Sequence, residues 1–165
     1  MKIVRDLRAV QFIELSMVEG LKQAQIEAKL EVSKAEIRRW KQEQQQLRNF
    51  INKLKQKWRN NAREIPFKQF YDVLADKEEC HYCGITQAQI DKLYSEDRLP
   101  ESGRSKRGRT LEVERLEPKE SYANVKNLAW ACYWCNNAKS DLFSEEEFKA
   151  IGLIIGQVHR ARLAK

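Results

Sequence analysis

Apolar residues recur every three to four positions through most of the first sixty residues. Proline is absent there, and Gly20 alone interrupts a run rich in Glu, Gln, Lys, Arg, Leu and Ala. That spacing and composition predict helix throughout. Phe12, Leu15 and Val18 mark one helix, and Ile26 and Leu30, four apart, mark the next. Ser33, followed three residues later by Glu36, forms a capping box that opens a third helix with Ile37 and Trp40 on its apolar face. Leu47, Phe50, Ile51 and Leu54 then stripe a Gln/Lys/Arg-rich segment, a solvated connecting helix or a short coiled-coil seam. Pro66 ends it, and residues 67–74 form a further short segment with an apolar face. Residues 85–94 predict one short helix. A last helix opens at Ser144 with Glu147 completing its capping box, and Phe148, Ile151, Ile154, Ile155 and Val158 form a stripe expected to face the core.

Charge changes this picture of a mainly helical chain. With 165 residues and a formal net charge of +7, the protein favours anionic partners, nucleic acid first among them. Residues 100–109 are a loop by composition, and its four cations, Arg104, Lys106, Arg107 and Arg109, either track phosphates or are merely solvated. No apolar run is long enough to span a bilayer, and the first residues form no signal-peptide pattern. A cytoplasmic location in a bacterial or phage-infected cell, with no membrane partner, is the expectation. In that reducing compartment disulfides are disfavoured.

Residues 23–40 resemble a helix-turn-helix of the transposase and repressor kind, in which a Val-Ser step, here Val32-Ser33, starts the recognition helix. Glu31 stands where glycine usually makes the turn. The resemblance implies DNA contact through Lys34, Arg38 and Arg39. An amphipathic hairpin used for packing or for a homodimer through the N-terminal helices is the alternative.

All four cysteines fall into two Cys-x-x-Cys pairs, Cys80/Cys83 and Cys132/Cys135, separated by 48 residues. Two-residue spacing lets both thiolates of a pair approach one ion, and two such knuckles supply the four soft ligands of a tetrahedral structural Zn²⁺. A closed shell of that kind folds a module and leaves no position open for catalysis. Four buried or redox-active thiols are the alternative. His81, inside the first knuckle, is taken as structural.

Leu111 to Pro118, then Tyr122, then the run Asn127-Leu128-Ala129-Trp130-Ala131-Cys132-Tyr133-Trp134-Cys135-Asn136-Asn137-Ala138-Lys139, together with the first knuckle, resemble the HNH (ββα-metal) endonuclease family. The resemblance covers under half of the chain. It implies a β-hairpin followed by a helix around one divalent ion, Mg²⁺ or Mn²⁺, with residues 111–116 as first strand and residues 136–139 opening the helix. It further implies Glu114 and Asn136 as ligands of that ion, Asn127 as the residue orienting the catalytic group, and Lys139 as a phosphate contact. Where most members carry a histidine base, this chain has Arg115, which stays protonated at working pH. Phage and bacterial relatives reading Asp-Arg-Ile-Asp are similar, and there Arg115 would clamp the phosphate, with Glu117, Glu114 or metal-bound water as base.

The fold expected is therefore α+β and mostly helical. A helix-turn-helix-like region spans 1–45, connecting helices 46–75, the zinc-bound ββα-metal module 76–143, and a C-terminal helix 144–165. The function expected is a metal-dependent DNA endonuclease or nickase acting on duplex. A catalytically degenerate DNA-binding or regulatory protein, and an interaction subunit of a larger defence or phage complex, remain as alternatives.

Overall fold

A computed structural model describes residues 6–99 and 107–165. Arg104 and Lys106 lie outside the described residues. The chain is α+β and mostly helical, with the helices that the apolar spacing predicts and the small hairpin that the family resemblance implies. Four helices come first: α1 (Leu7–Met17), α2 (Gln23–Leu30), α3 (Lys34–Glu43) and α4 (Gln45–Asn61). Asp6 caps α1 by accepting from the amides of Arg8 and Ala9, and its second carboxylate oxygen accepts from Trp40 Nε1 at 3.0 Å. One side chain thus ties the start of α1 to α3. Phe12, Ile26, Ile37 and Trp40 are buried together where α1 packs on α2 and α3. Between α2 and α3, Glu31 adopts φ 51° and ψ 51°, the left-handed conformation that ends a helix and usually selects glycine. Ser33 then caps α3 through the reciprocal box with Glu36.

The turn around Pro66 is held by Trp58 Nε1, which donates to the Ile65 carbonyl at 2.8 Å, and α5 (Phe67–Leu74) follows. Helix α6 (Gln87–Ser95) starts two residues later than its apolar pattern suggests, because Thr86 serves as its N-cap. The two strands β1 (Glu112–Arg115) and β2 (Leu128–Ala131) pair antiparallel, with Glu112 opposite Ala131 and Glu114 opposite Ala129. Side chains alternate across a strand, so Glu112 and Glu114 share one face, beside two alanines that keep it shallow. Helix α7 (Tyr133–Lys139) lies against β1. Trp130 Nε1 donates to the Leu74 carbonyl at 2.9 Å, fastening β2 to α5.

Helix α8 (Glu145–Leu163) corrects one expectation. Its capping box at Ser144 and Glu147 forms as expected, but the helix is rotated relative to the predicted stripe. Phe148 is buried and Ile155 half-buried, whereas Ile151, Ile154 and Val158 are exposed. The inward face is instead Phe148, Gly152, Gly156 and His159. A Cβ on Gly152 would meet the Tyr82 carbonyl oxygen at 3.0 Å, and one on Gly156 the Cys83 carbonyl oxygen at 2.7 Å. The helix is pressed so closely onto the first cysteine knuckle that only glycine fits at these two positions, and the branched residues are left outside.

No helix among the described residues is long and apolar enough to cross a membrane.

Candidate functional site

Two neighbouring centres grow from the hairpin and α7. The first is the cysteine cluster. Cys80 and Cys83 come from the turn before α6, where the Cys80 amide donates to the Ile85 carbonyl and the Gly84 amide to that of Cys80. Cys132 is the N-cap of α7, and Cys135 sits in its first turn. All four are buried and free of disulfides, and their sulfur atoms lie within 4.8 Å of one another. Cys83 and Cys132 sulfurs approach to 3.6 Å. Hydrogen bonds with Cys132, Cys135 and Cys83 hold the Cys80 thiol far below its usual range, while those with Cys132, Cys80 and Cys83 push Cys135 far above. Four thiols crowded in this way share too little charge compensation on their own. A soft cation at the centre relieves the conflict, so the cluster is positioned to bind a metal such as zinc.

The second centre lies between β1 and α7. Glu114, Arg115, Tyr122, Asn136, Asn137, Ser140 and Asp141 line a cleft of about 220 Å³. Glu114, Arg115 and Asn136 are thus brought together. Glu114 is buried, and its Oε1 lies 3.2 Å from Lys139 Nζ. Burial pushes its carboxyl upward, against the opposing pull of Lys139 and Arg115. Asn136 donates from Nδ2 to Glu112 Oε2 at 2.7 Å. With the amide nitrogen anchored, the oxygen is the end available to a ligand. A carboxylate and an amide oxygen form a donor set suited to a hard divalent cation, and a positive charge there would favour the ionised form of Glu114.

Arg115 is one quarter exposed and spans the cleft. Its guanidinium lies 5.0 Å from the centre of the Tyr122 ring and donates to Asp141 Oδ1 at 2.7 Å. The Asp141 side chain is 79% exposed, so this pair is readily exchanged for another anion.

Other candidates fall elsewhere. Lys139 is wholly buried and donates to Glu114 and to the Arg115 carbonyl, which makes it a brace under β1 and leaves it no path to a phosphate. Asn127 is also buried. It accepts from the Glu117 amide at 2.7 Å and donates to the Glu117 carbonyl at 3.0 Å, clamping the loop that leaves β1. The carboxylate of Glu117 accepts from the Glu145 amide at the start of α8, outside the cleft. Lys34, Arg38 and Arg39 are exposed on α3, with Arg39 paired to Glu43 at 3.5 Å. Arg107 lies over the Tyr133 ring and grips Glu112 with two hydrogen bonds, while Arg109 lies over Tyr94. His81 pairs with Glu145 at 2.7 Å.

Glu112 and Asp141 escaped the sequence reading. Alternation along β1 places Glu112 on the face of Glu114, and that signal was present. Asp141 follows the helix by two residues, and nothing in the local pattern marks it.

The architecture is similar to that of a solved HNH restriction endonuclease, PacI, described as rare-cutting and as perturbing DNA. The match has a TM-score of 0.51 and 25% identity, and it covers 68% of this chain and 78% of that one. The fold is thus nuclease-like. Neither a protein-family model nor a curated protein matches the chain in sequence.

Proposed function

We propose that this chain is a metal-dependent DNA endonuclease or nickase that hydrolyses phosphodiester bonds at the cleft between β1 and α7. The observation that carries the reading is the convergence of Glu114, Asn136 and Arg115 on one polar cleft. The similarity to an HNH restriction endonuclease supports it independently.

Glu114 and Asn136 would hold Mg²⁺ or Mn²⁺, which would supply Lewis-acid polarisation of a bound phosphate and charge stabilisation at the leaving oxygen. Arg115 cannot accept a proton at working pH. Its role in this reading is to exchange Asp141 for a non-bridging phosphate oxygen, which it grips more strongly as charge builds toward the transition state. Released from Arg115, the exposed Asp141 carboxylate is the cleft's available proton acceptor for the attacking water. Glu112 orients Asn136, and Lys139 keeps Glu114 aligned. The four cysteines would hold a structural Zn²⁺ outside the chemistry.

Duplex DNA is the substrate this reading requires. Lys34, Arg38 and Arg39 on α3 supply exposed cations, with Arg104 and Lys106 of the basic loop as further candidates. Arg107 and Arg109, stacked on Tyr133 and Tyr94, would fix the base of that loop beside the cleft. The glycine-like conformation of Glu31 between α2 and α3 supports the helix-turn-helix part of the proposal.

Supercoiled plasmid incubated with zinc-loaded protein and Mg²⁺, Mn²⁺ or EDTA tests the whole reading. Nicking or linearisation should require the divalent ion and vanish in both Glu114→Ala and Asn136→Ala chains that keep their zinc. Salt-sensitive DNA binding without any cutting would instead favour a catalytically degenerate DNA-binding protein, the reading that Arg115 in the histidine position itself invites.

A further inference from the structure

The rotation of α8 leaves an outward face that nothing in the described chain covers. Ile151, Leu153, Ile154 and Val158 are 37%, 61%, 60% and 47% exposed. They are four of the six large apolar side chains exposed among the described residues, the others being Leu7 and Leu142. Scattered single apolar residues are ordinary on a surface, but a cluster along one helix marks an interface. Ala150 and Ala161, also exposed, extend the same face without bulk. Ile151, Ile154, Val158 and Ala161 follow one another at three- and four-residue steps, the spacing of a helix–helix seam.

Charge along the helix identifies what fits this face. Its first turn is acidic, with Glu145, Glu146 and Glu147, and its last turn is basic, with Arg160 and Arg162. Glu145 is engaged by His81 and Lys149, and Glu147 by Ser144, whereas Glu146 is exposed and has no ion pair among the described residues. A helix with acid at one end, base at the other and an apolar centre is complementary to itself when turned end for end. That is the requirement of a two-fold interface, in which one patch meets its own copy.

We infer that two copies of this chain associate through α8, the helices antiparallel, with Ile151, Ile154 and Val158 interleaved across the axis. Glu146 of each copy then meets Arg160 and Arg162 of the other. At 19 residues the helix is about 28 Å long, enough for two full turns of apolar contact with a charged turn at either end. The inference stands apart from the nuclease reading. It differs from dimerisation through the N-terminal helices, whose large apolar side chains are mostly buried within the chain.

Sedimentation equilibrium of the full zinc-loaded chain tests it, with a species of twice 19.5 kDa expected across micromolar concentrations. Ile154→Glu should raise the dissociation constant roughly 100-fold or more, because symmetry places two unpaired carboxylates in the seam. Circular dichroism and zinc content should not change, since Ile154 makes little contact within its own chain. Glu146→Arg and the doubly substituted Arg160→Glu, Arg162→Glu chain should each dimerise weakly alone. Mixed, they should form a heterodimer tighter than either homodimer, because both end contacts become attractive again. A chain that stays monomeric, or a dimer untouched by Ile154→Glu, would overturn the inference. A mixture no tighter than its components would overturn the antiparallel pairing.

Discussion

Lys139 carries a positive charge with no exposure to solvent, so its neighbours must account for its presence. Glu114 and the Arg115 carbonyl supply two acceptors at 3.2 and 2.9 Å. Removing one partner of a buried pair leaves the other uncompensated. Lys139→Met should therefore destabilise the fold by about 3 kcal/mol in urea titration. Glu114 can soften that loss by taking up a proton, since burial already pushes its carboxyl upward. The double variant Lys139→Met, Glu114→Gln should accordingly recover part of the loss, and strictly additive effects would mean that the two groups are not coupled. At Arg115 the prediction concerns turnover. Arg115→Lys keeps the charge but loses the planar fork and much of the stacking on Tyr122, so cleavage should fall while DNA binding holds. Asp141→Asn should lower cleavage by about 10²-fold or more if its carboxylate accepts the water's proton. A cleavage rate unchanged by the substitution would assign the proton elsewhere.

Among the elements, α8 shows most clearly what a one-dimensional pattern conveys and what it omits. The capping box at Ser144 is a local device, four residues of sequence acting on one turn of backbone, and it is legible for that reason. The buried face is not local. Counting apolar residues at helical spacing selects Ile151, Ile154 and Val158, but the knuckle at Tyr82 and Cys83 admits only a face without side chains, and Gly152 and Gly156 provide it. The same distinction holds in the cleft. Glu114, Asn136 and the cysteine pairs have fixed spacings around a hairpin and a helix, so the family resemblance brings them out. The burial of Lys139, the turn of Glu117 toward α8 and the hold of Glu112 on Asn136 depend on side-chain direction, which spacing does not encode. Gly156→Ala tests the packing argument, because its Cβ would fall 2.7 Å from the Cys83 carbonyl oxygen, a backbone atom with little freedom to move. A loss of roughly 1–3 kcal/mol is expected from such overpacking, together with weaker retention of zinc. Thr86→Ala, which removes only the cap of α6, should cost about 1 kcal/mol and leave zinc retention unchanged.

For the molecule as a whole, the cysteine cluster is the joint where distant segments meet. Cys80 and Cys83 belong to the turn between α5 and α6, Cys132 joins the second strand to α7 as its N-cap, Cys135 lies in α7, and α8 rests on the first knuckle through its glycines. The N-terminal helices are held differently, by the buried side chains of Phe12, Ile26, Ile37 and Trp40 and by the Asp6–Trp40 hydrogen bond. Removal of the metal should therefore divide the protein in its response. Binding energy at a structural site of this type is folding energy, because the unfolded chain has no preformed site. A strong zinc chelator should strip one zinc per chain and raise hydrogen exchange throughout β1, β2, α7 and α8. The near-ultraviolet dichroism of Trp130 and Trp134 should collapse, while amides in α1 to α3 stay protected. Cleavage should be lost with the hairpin even when Mg²⁺ is in excess, because Glu114 and Asn136 sit on the two elements that come apart. DNA binding by α3 should weaken less, if that helix is the DNA contact. Complete loss of zinc with α7 still protected would show that packing alone holds the hairpin and helix together, and the metal would then have no structural part in keeping the cleft assembled.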